Sequence, residues 1–86
     1  MITVVLPRSL VALFPGTERR MDAAGGTVGE LIDDLDRRVP GLRNRLVEGS
    51  ALRPHLNVFV GGERADLGSP VPDGAQVHLI PAVSGG

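Results

Sequence analysis

Residues 27–39 carry one amphipathic helix pattern, and this pattern limits the folds that the chain can adopt. Thr27 and Glu30 are spaced as a capping box, in which side chains accept hydrogen bonds from free backbone N–H groups of the first turn. Apolar residues follow at helical spacing and form one stripe: Val28, Leu31, Ile32, Leu35 and Val39. Pro40 and Gly41 then end the helix. A helix with one apolar stripe must bury that stripe against another layer of structure.

Shorter patterns within and around this helix predict ion pairs and further helical turns. On the polar face of the helix, aspartates precede arginines by four positions, which predicts two ion pairs: Asp33 with Arg37, and Asp34 with Arg38. Leu42 and Leu46 predict a short second helical turn that ends at Gly49. Earlier in the chain, an apolar cluster before Pro15 and Gly16 is interpreted as either one irregular helical turn or a packed loop: Leu10, Val11, Leu13 and Phe14.

Short runs of β-branched and apolar residues predict four or five strands, at residues 2–6, 18–23, 56–60, 63–66 and 75–80. Gly61 and Gly62 supply the positive φ values of a two-residue hairpin turn. Residues 67–74 are rich in glycine and proline and are therefore predicted as a loop. The strand and helix patterns together predict this core: Ile2, Val4, Leu6, Val28, Leu31, Ile32, Leu35, Leu56, Val58, Val60, Val77 and Leu79.

The order of these elements predicts an α+β fold, in which one main helix packs on one four- or five-stranded sheet. A chain of 86 residues has room for one such core. We expect the domain to span residues 1–80 and a flexible C-terminal tail to follow at residues 81–86.

Composition excludes several classes of chemistry. The chain has no cysteine and no lysine, which excludes thiol nucleophiles, thiolate metal sites and lysine Schiff bases. His55 and His78 have no partner at metal-ligand spacing, so no metal site is predicted. A net charge of −1, with no long apolar run and no signal-peptide pattern, predicts neither a nucleic-acid partner nor membrane binding. We therefore expect a cytoplasmic protein that is not an enzyme.

The C-terminal six residues are the remaining candidate for function: Pro81, Ala82, Val83, Ser84, Gly85 and Gly86. Fully extended, they span about 20 Å, enough to enter another protein's active site. Glycine lets the backbone approach a channel wall closely, since it has no Cβ. The Gly86 carboxylate is therefore a suitable substrate for activation by a separate enzyme. The alternative interpretation is a frayed glycine end without function.

The chain resembles the ubiquitin-like sulfur carrier proteins, which include the molybdopterin synthase small subunit and the thiamine sulfur carrier. The most specific parts are Asp73 and Gly74 before the last predicted strand, that strand itself, Pro81, and the final pair Gly85 and Gly86. Length and the last six residues look closest to the branch that feeds sulfur into cysteine synthesis, with the molybdopterin branch next. The resemblance implies a ubiquitin-like β-grasp fold.

The resemblance also implies a mechanism. An ATP-dependent activating enzyme adenylates the Gly86 carboxylate, and sulfur then displaces AMP to leave a thiocarboxylate. A sulfur-acceptor enzyme or synthase subunit receives that sulfur. This chain binds no cofactor itself, since ATP and Mg belong to the activating partner, and it acts as a protein substrate and sulfur donor.

A partner must also hold the domain. In a β-grasp sheet the last strand lies between the first and third, so the face opposite the core brings together Val5, Phe59 and Ile80. Exposed apolar patches of this kind often mark docking sites. The predicted partner-binding residues are therefore Val5, Phe59, Ile80, Pro81, Ala82, Val83 and Ser84. Two alternatives are that the three apolar residues are ordinary exposed side chains, or that residues 50–55 cover them.

Two further functions remain open at this point. A ubiquitin-like protein modifier would use the same activation but form an isopeptide bond between Gly86 and a target lysine. A non-catalytic β-grasp interaction module would not use the tail at all. The acceptor, whether a cysteine precursor, a pterin, a thiazole or a tRNA base, is not specified by the sequence.

Overall fold

A computed structural model describes residues 1–82 of the chain. Three helices and seven strands follow one another in this order: β1 (Ile2–Val5), α1 (Arg8–Val11), β2 (Arg20–Ala23), α2 (Val28–Arg38), α3 (Leu42–Leu46), β3 (Val47–Glu48), β4 (Ala51–Leu52), β5 (Leu56–Val60), β6 (Glu63–Ala65) and β7 (Gln76–Pro81). The predicted α+β class is confirmed. The interpretation of the early apolar cluster is settled as a helical turn, α1, which buries Leu10.

The main sheet is mixed and has five strands in the order β2-β1-β7-β5-β6. Only β1 and β7 run parallel, with Val4 opposite Val77, while the other neighbours are antiparallel. The last strand therefore lies between the first and the one that starts at Leu56, as predicted. Because β1 and β7 are parallel, the end of β7 lies at the same edge of the sheet as the end of β1.

The sheet's inner face and α2 enclose the core. Most predicted core residues are buried, but Leu56 and Val60 are only partly buried and pack against the core from its margin. These two were wrong as full core positions: each lies at an end of β5 and is only partly buried, whereas Val58 at the centre of the strand is fully buried. The buried residues that the sequence prediction missed come from short elements and loops: Leu10, Ala23, Leu42, Leu46, Val47 and Val71.

The N-terminus of α2 is capped almost as predicted. The Thr27 hydroxyl accepts a hydrogen bond from the Glu30 backbone N–H at 3.2 Å. The Glu30 carboxylate accepts from the Gly26 N–H at 2.6 Å, one residue earlier than a capping box requires. Both bonds satisfy backbone donors at the point where the chain enters the helix.

Residues 67–71 also close this end of the helix. The carbonyl oxygens of Ser69 and Leu67 accept hydrogen bonds from Val28 and Gly29 at 3.1 and 2.9 Å. Val71 is buried, 6% exposed. The segment is a loop, as predicted, but it is bound to the helix because α2 presents unpaired backbone donors there.

Gly25 has no room for a side chain, which gives a first testable expectation. A Cβ at this position would lie 2.8 Å from the Glu30 Cβ and 3.0 Å from backbone atoms of Glu30 and Leu31. We expect Gly25→Ala to destabilise the fold by about 1–3 kcal/mol, the usual cost of overpacking. Urea unfolding followed by circular dichroism measures this change.

Gly68→Ala is the matched control, because a Cβ there meets only the Asp66 carboxylate at an ordinary 3.6 Å. Its free energy of unfolding should change by less than about 1 kcal/mol. Equal stabilities for the two variants would contradict the proposed steric conflict at Gly25.

The ion pairs on α2 differ from the prediction. Asp34 pairs with Arg38 at 3.1 Å, as expected, but it also pairs with Arg37 at 2.7 Å. Asp33 pairs instead with Arg43 of α3 at 2.8 Å, so the predicted pair between Asp33 and Arg37 is wrong. The turn after α2 brings α3 alongside it, and this tertiary contact provides Asp33 with a partner that helical spacing does not reveal.

Asp34 makes the stability dependent on pH. Its carboxylate accepts a hydrogen bond from the Ala24 backbone N–H at 3.0 Å. This bond, followed by the bond from Arg37 and the charge of Arg38, lowers the pKa of Asp34 below its ordinary value of 3.8. A lowered folded-state pKa stabilises the fold above pH 3.8, and this stabilisation is lost as pH falls through the lower value.

We therefore expect the urea midpoint to fall as the pH is lowered from 3.8 towards the folded-state pKa of Asp34. Asp34→Asn should be less stable than the natural chain at neutral pH and should lose this part of the pH dependence. Asp73→Asn is the matched control, since Asp73 makes no hydrogen bond or ion pair with another residue among 1–82. A pH profile of Asp34→Asn that matched the natural one would contradict the assignment.

Gly61 and Gly62 have φ values of 58° and 86° and join β5 to β6, as predicted. The sequence prediction missed β3 and β4, which form a separate two-stranded sheet with Val47 opposite Leu52. Each strand has two residues, too few for an alternating pattern to be recognised. None of the helices within residues 1–82 is long and apolar enough to cross a membrane.

Candidate functional site

The base of the predicted tail is part of the sheet. Pro81 is the last residue of β7 and lies opposite Leu56 of β5. The Ala82 backbone N–H donates a hydrogen bond to the His55 carbonyl oxygen at 2.7 Å and so extends the ladder by one residue. The prediction placed Pro81 and Ala82 in the tail, and the structure corrects this boundary. Proline has no N–H to donate, but none is needed at position 81, because the hydrogen bond to the neighbouring chain at this point is made by the Ala82 N–H.

The other residues of the predicted tail lie outside the described part of the chain. These are Val83, Ser84, Gly85 and Gly86. They are attached to the end of β7. This strand is paired with β1 as far as His78 and with β5 as far as Pro81.

The outer face of the sheet brings the predicted docking residues together. His78 of β7 lies between Val5 of β1 and Phe59 of β5 in the strand register. Ile80 is two residues further along β7, opposite Asn57. Side chains directly opposite one another in a sheet are about 4.5–5.5 Å apart at Cβ, and diagonal ones about 7–8 Å. Val5, Phe59 and Ile80 therefore form one patch, which we call the outer strip.

The outer strip is partly open to solvent. Val5 and Phe59 are half-buried, and Ile80 is 43% exposed. Residues 50–55 thus leave Ile80 accessible at the end of the sheet nearest the tail. Where one face of a sheet meets solvent, alternation along the strands predicts polar side chains on that face. The apolar side chains here therefore exceed what alternation requires.

Arginines border the outer strip at both edges of the sheet. Arg20 of β2 lies opposite Val5, and Arg64 of β6 lies opposite Phe59. The Arg64 guanidinium donates to the Asn57 side-chain oxygen at 2.8 Å, which holds it over the face. Sequence reasoning missed Arg20. The signal was Met21, an apolar residue between two charged ones: if Met21 faces the core, the neighbouring Arg20 faces outwards, because side chains alternate along a strand. Apolar side chains around the half-buried His78, with arginines at the rim, have the composition of a protein-binding surface.

The described residues contain no candidate metal site. Within residues 1–82 no group of three His, Asp or Glu side chains is placed to hold a metal ion. His55 is exposed at the end of the sheet and His78 is half-buried in its middle. The candidate site is therefore the end of β7 with the residues beyond it, supported by the outer strip.

Comparison with known proteins places these features in a family. A family model described as the ThiS family matches residues 4–86. Sulfur carrier protein CysO of Mycobacterium tuberculosis is 30% identical over 92 residues, which cover 99% of this chain and 98% of that protein.

Two solved structures extend the likeness to the fold. A chain in the crystal structure of the Amycolatopsis orientalis BexX/CysO complex is 36% identical, with a TM-score of 0.87 over 100% of both chains. SAMP1 from Haloferax volcanii is 34% identical, with a TM-score of 0.74 over 99% of this chain and 98% of that one. The predicted β-grasp fold and the resemblance to ubiquitin-like sulfur carriers are confirmed, and the chain belongs to the ThiS family.

Proposed function

We propose that this protein carries sulfur as a thiocarboxylate on Gly86. The observation that carries the proposal is the end-to-end similarity to a protein named as a sulfur carrier, CysO, over 99% of the chain. The same similarity favours a role in cysteine biosynthesis, with molybdopterin biosynthesis as the second destination. In this role the chain is a substrate for other enzymes and catalyses nothing itself.

The chemistry needs two steps on the terminal carboxyl group. A carboxylate oxygen of Gly86 attacks the α-phosphorus of ATP, pyrophosphate leaves, and an acyl adenylate forms. A sulfide equivalent then adds to the acyl carbon, AMP leaves, and a thiocarboxylate remains. ATP and Mg are bound by the activating partner in this proposal, and this chain supplies the carboxylate.

The domain contributes a rigid base for that carboxylate. Because β7 lies inside the sheet and Ala82 is bonded to His55, the reactive end starts from a defined point. Four residues follow Ala82, which reach at most about 13–14 Å when extended. The backbone of Val83, Ser84 and Gly85 then fills the partner's channel in this proposal, while Pro81 and Ala82 stay in the sheet at its entrance and the outer strip docks on the partner's surface.

The composition agrees with this chemistry. The chain has no cysteine, and a sulfur carried on a backbone carboxyl group needs none. The chain also has no lysine, so no lysine side chain of its own competes with sulfide for the activated acyl group.

Protein modification is the second candidate, and the likeness to SAMP1 favours it. The solved SAMP1 chain is 34% identical, and small archaeal modifier protein 1 of Haloferax volcanii is 39% identical over 69 residues. In this role the activated Gly86 would form an isopeptide bond with a lysine of another protein.

Intact-mass spectrometry tests the proposal. The chain is incubated with ATP, a sulfide source and the activating enzyme from the same organism. A mass gain equal to the replacement of one oxygen by one sulfur supports the carrier function. A ladder of heavier target proteins in a lysate supports modification, and an unchanged mass with no ladder contradicts both in favour of an interaction module.

A further inference from the structure

A groove opens at the end of the sheet where β7 leads into the last residues. It has a volume of about 810 Å³ and lies between α1, α3 and the paired ends of β5 and β7. Phe14, Leu56 and Pro81 provide accessible apolar lining, and Leu13 is 51% exposed at its border. We call this depression the exit groove. It lies on the helical side of the sheet, opposite to the outer strip, because Leu56 packs towards the core.

The charge in the exit groove has one sign. Among residues 1–82 no acidic side chain lines it, whereas the guanidinium groups of Arg45 and Arg53 do. Arg53 is held by Glu48 at 3.0 Å and by the Asn44 carbonyl oxygen at 2.8 Å. Arg45 also lines the groove, and it makes no ion pair with another residue among 1–82.

A second depression beyond Leu13 and Phe14 provides a comparison. It is also open to solvent, but Glu18 and Asp22 line it together with Arg20 and Arg38. Its charges are mixed, so it selects no single type of charged partner. Of these two depressions, the exit groove is the one that joins an apolar lining to an arginine without an ion-pair partner among residues 1–82, and it lies next to the base of the tail.

We propose that the exit groove binds an acidic segment carrying an apolar side chain on the protein that receives the tail. The inference rests on the proposed function, since it takes the tail to enter a partner. A partner that holds Gly86 is within about 13–14 Å of Ala82, and Pro81 itself lines the groove. In this proposal the apolar side chain contacts Leu13, Phe14 and Leu56, while the carboxylates face Arg45.

The partner then holds the domain from both sides of β7. The outer strip contacts it on one face of the sheet, and the exit groove contacts it on the other. Opposite charges across an interface contribute most to specificity and to the rate of association. The groove therefore distinguishes acidic tail-receiving proteins from others that have an equally apolar surface.

Peptide titration followed by NMR tests this inference without the partner. The probe is a blocked pentapeptide of sequence Glu-Glu-Leu-Phe-Glu, and its counterpart carries lysine in place of each glutamate. We expect the acidic peptide to shift the amide signals of Leu13, Arg45 and His55, and the basic peptide to leave them unchanged. Arg45→Glu should raise the Kd of the acidic peptide by at least about tenfold, because like charges then face each other.

Two further variants separate binding from folding. Leu13→Ser should weaken binding of the acidic peptide. It should not unfold the domain, since half of the Leu13 side chain is already exposed. Arg37→Glu makes the same charge change on α2, away from the groove, and should bind the peptide as the natural chain does. Urea unfolding of each variant shows whether the domain is intact.

Three outcomes would overturn the inference: no shifts with the acidic peptide, equal shifts with both peptides, or undiminished binding by Arg45→Glu. A fourth outcome would also overturn it. If a chain ending at Ala82 binds the peptide and the full chain does not, the groove is occupied by the chain's own last residues and not by a partner. The titration involves neither ATP nor sulfur. Its failure therefore leaves the mass-spectrometric test of sulfur loading intact, and failure of sulfur loading leaves the peptide result intact.

Discussion

Deletion of Gly86 should abolish sulfur loading while leaving the domain as stable as before. In the proposed chemistry the adenylate forms on the carboxylate of this residue, and its removal places the carboxylate of Gly85 one residue, about 3.5 Å, short of the activating centre. A displacement of this size prevents an aligned attack on the α-phosphorus, because reaction requires near-contact geometry. Intact mass after incubation with ATP, sulfide and the activating enzyme measures the loss.

Ser84→Ala provides the matched control for this deletion. It changes a side chain of the tail but keeps both its length and the terminal glycine pair. We expect it to gain sulfur to the same extent as the natural chain. Full loading of the chain that lacks Gly86 would contradict the proposed reactive group, and loss of loading in both variants would move the requirement from Gly86 to the tail as a whole.

Phe59→Asp should strongly slow adenylation by the activating enzyme, measured as the rate of pyrophosphate release. Phe59 lies beside His78 at the centre of the five-stranded sheet's outer face, and the proposal places it against an apolar surface of the activating enzyme. A carboxylate there would be desolvated on docking without a partner. Residues at the centre of an interface often cost 2 kcal/mol or more when changed, so we expect a loss of more than about 30-fold in kcat/KM.

Gln76→Asp is the matched control for Phe59→Asp. It introduces the same charge on the same face, but at the other end of β7 from the tail, where Gln76 is exposed. We expect it to be adenylated normally. Urea unfolding should show both variants folded, and unchanged adenylation of a folded Phe59→Asp would remove the outer strip from the docking surface.

Much of the fold could be predicted because it depends on local interactions. The α2 pattern, the Gly61 and Gly62 turn and the strand at residues 56–60 each carry a signal within a few neighbouring residues. The strand pairing followed from the family resemblance rather than from any pattern in the strands. The short pieces α1, β3 and β4 were uncertain or missed, because two to four residues contain about one period of a helix or strand pattern and the pattern therefore never repeats.

The candidate site was predictable in part for the same reason. Val5, Phe59 and Ile80 could be assigned to one face because side chains alternate along a strand and the family implies the strand order. The exit groove could not, since Leu10, Arg45 and Pro81 are far apart in the chain and no local rule places α1 beside α3. The partner of Asp33 escaped prediction for a similar reason, because Arg43 reaches it only after the chain has turned.

The amino-acid sequence by itself determined the main helix, the longer strands and most of the side chains that turn inwards, and it showed that neither thiol nor lysine chemistry is available. Those properties follow from the spacing and type of neighbouring residues. The tertiary structure alone decided where β7 ends, which surfaces flank that end, and which charged side chains lie beside it. Such properties depend on contacts between residues distant in the chain, and those contacts exist only once the whole core has formed.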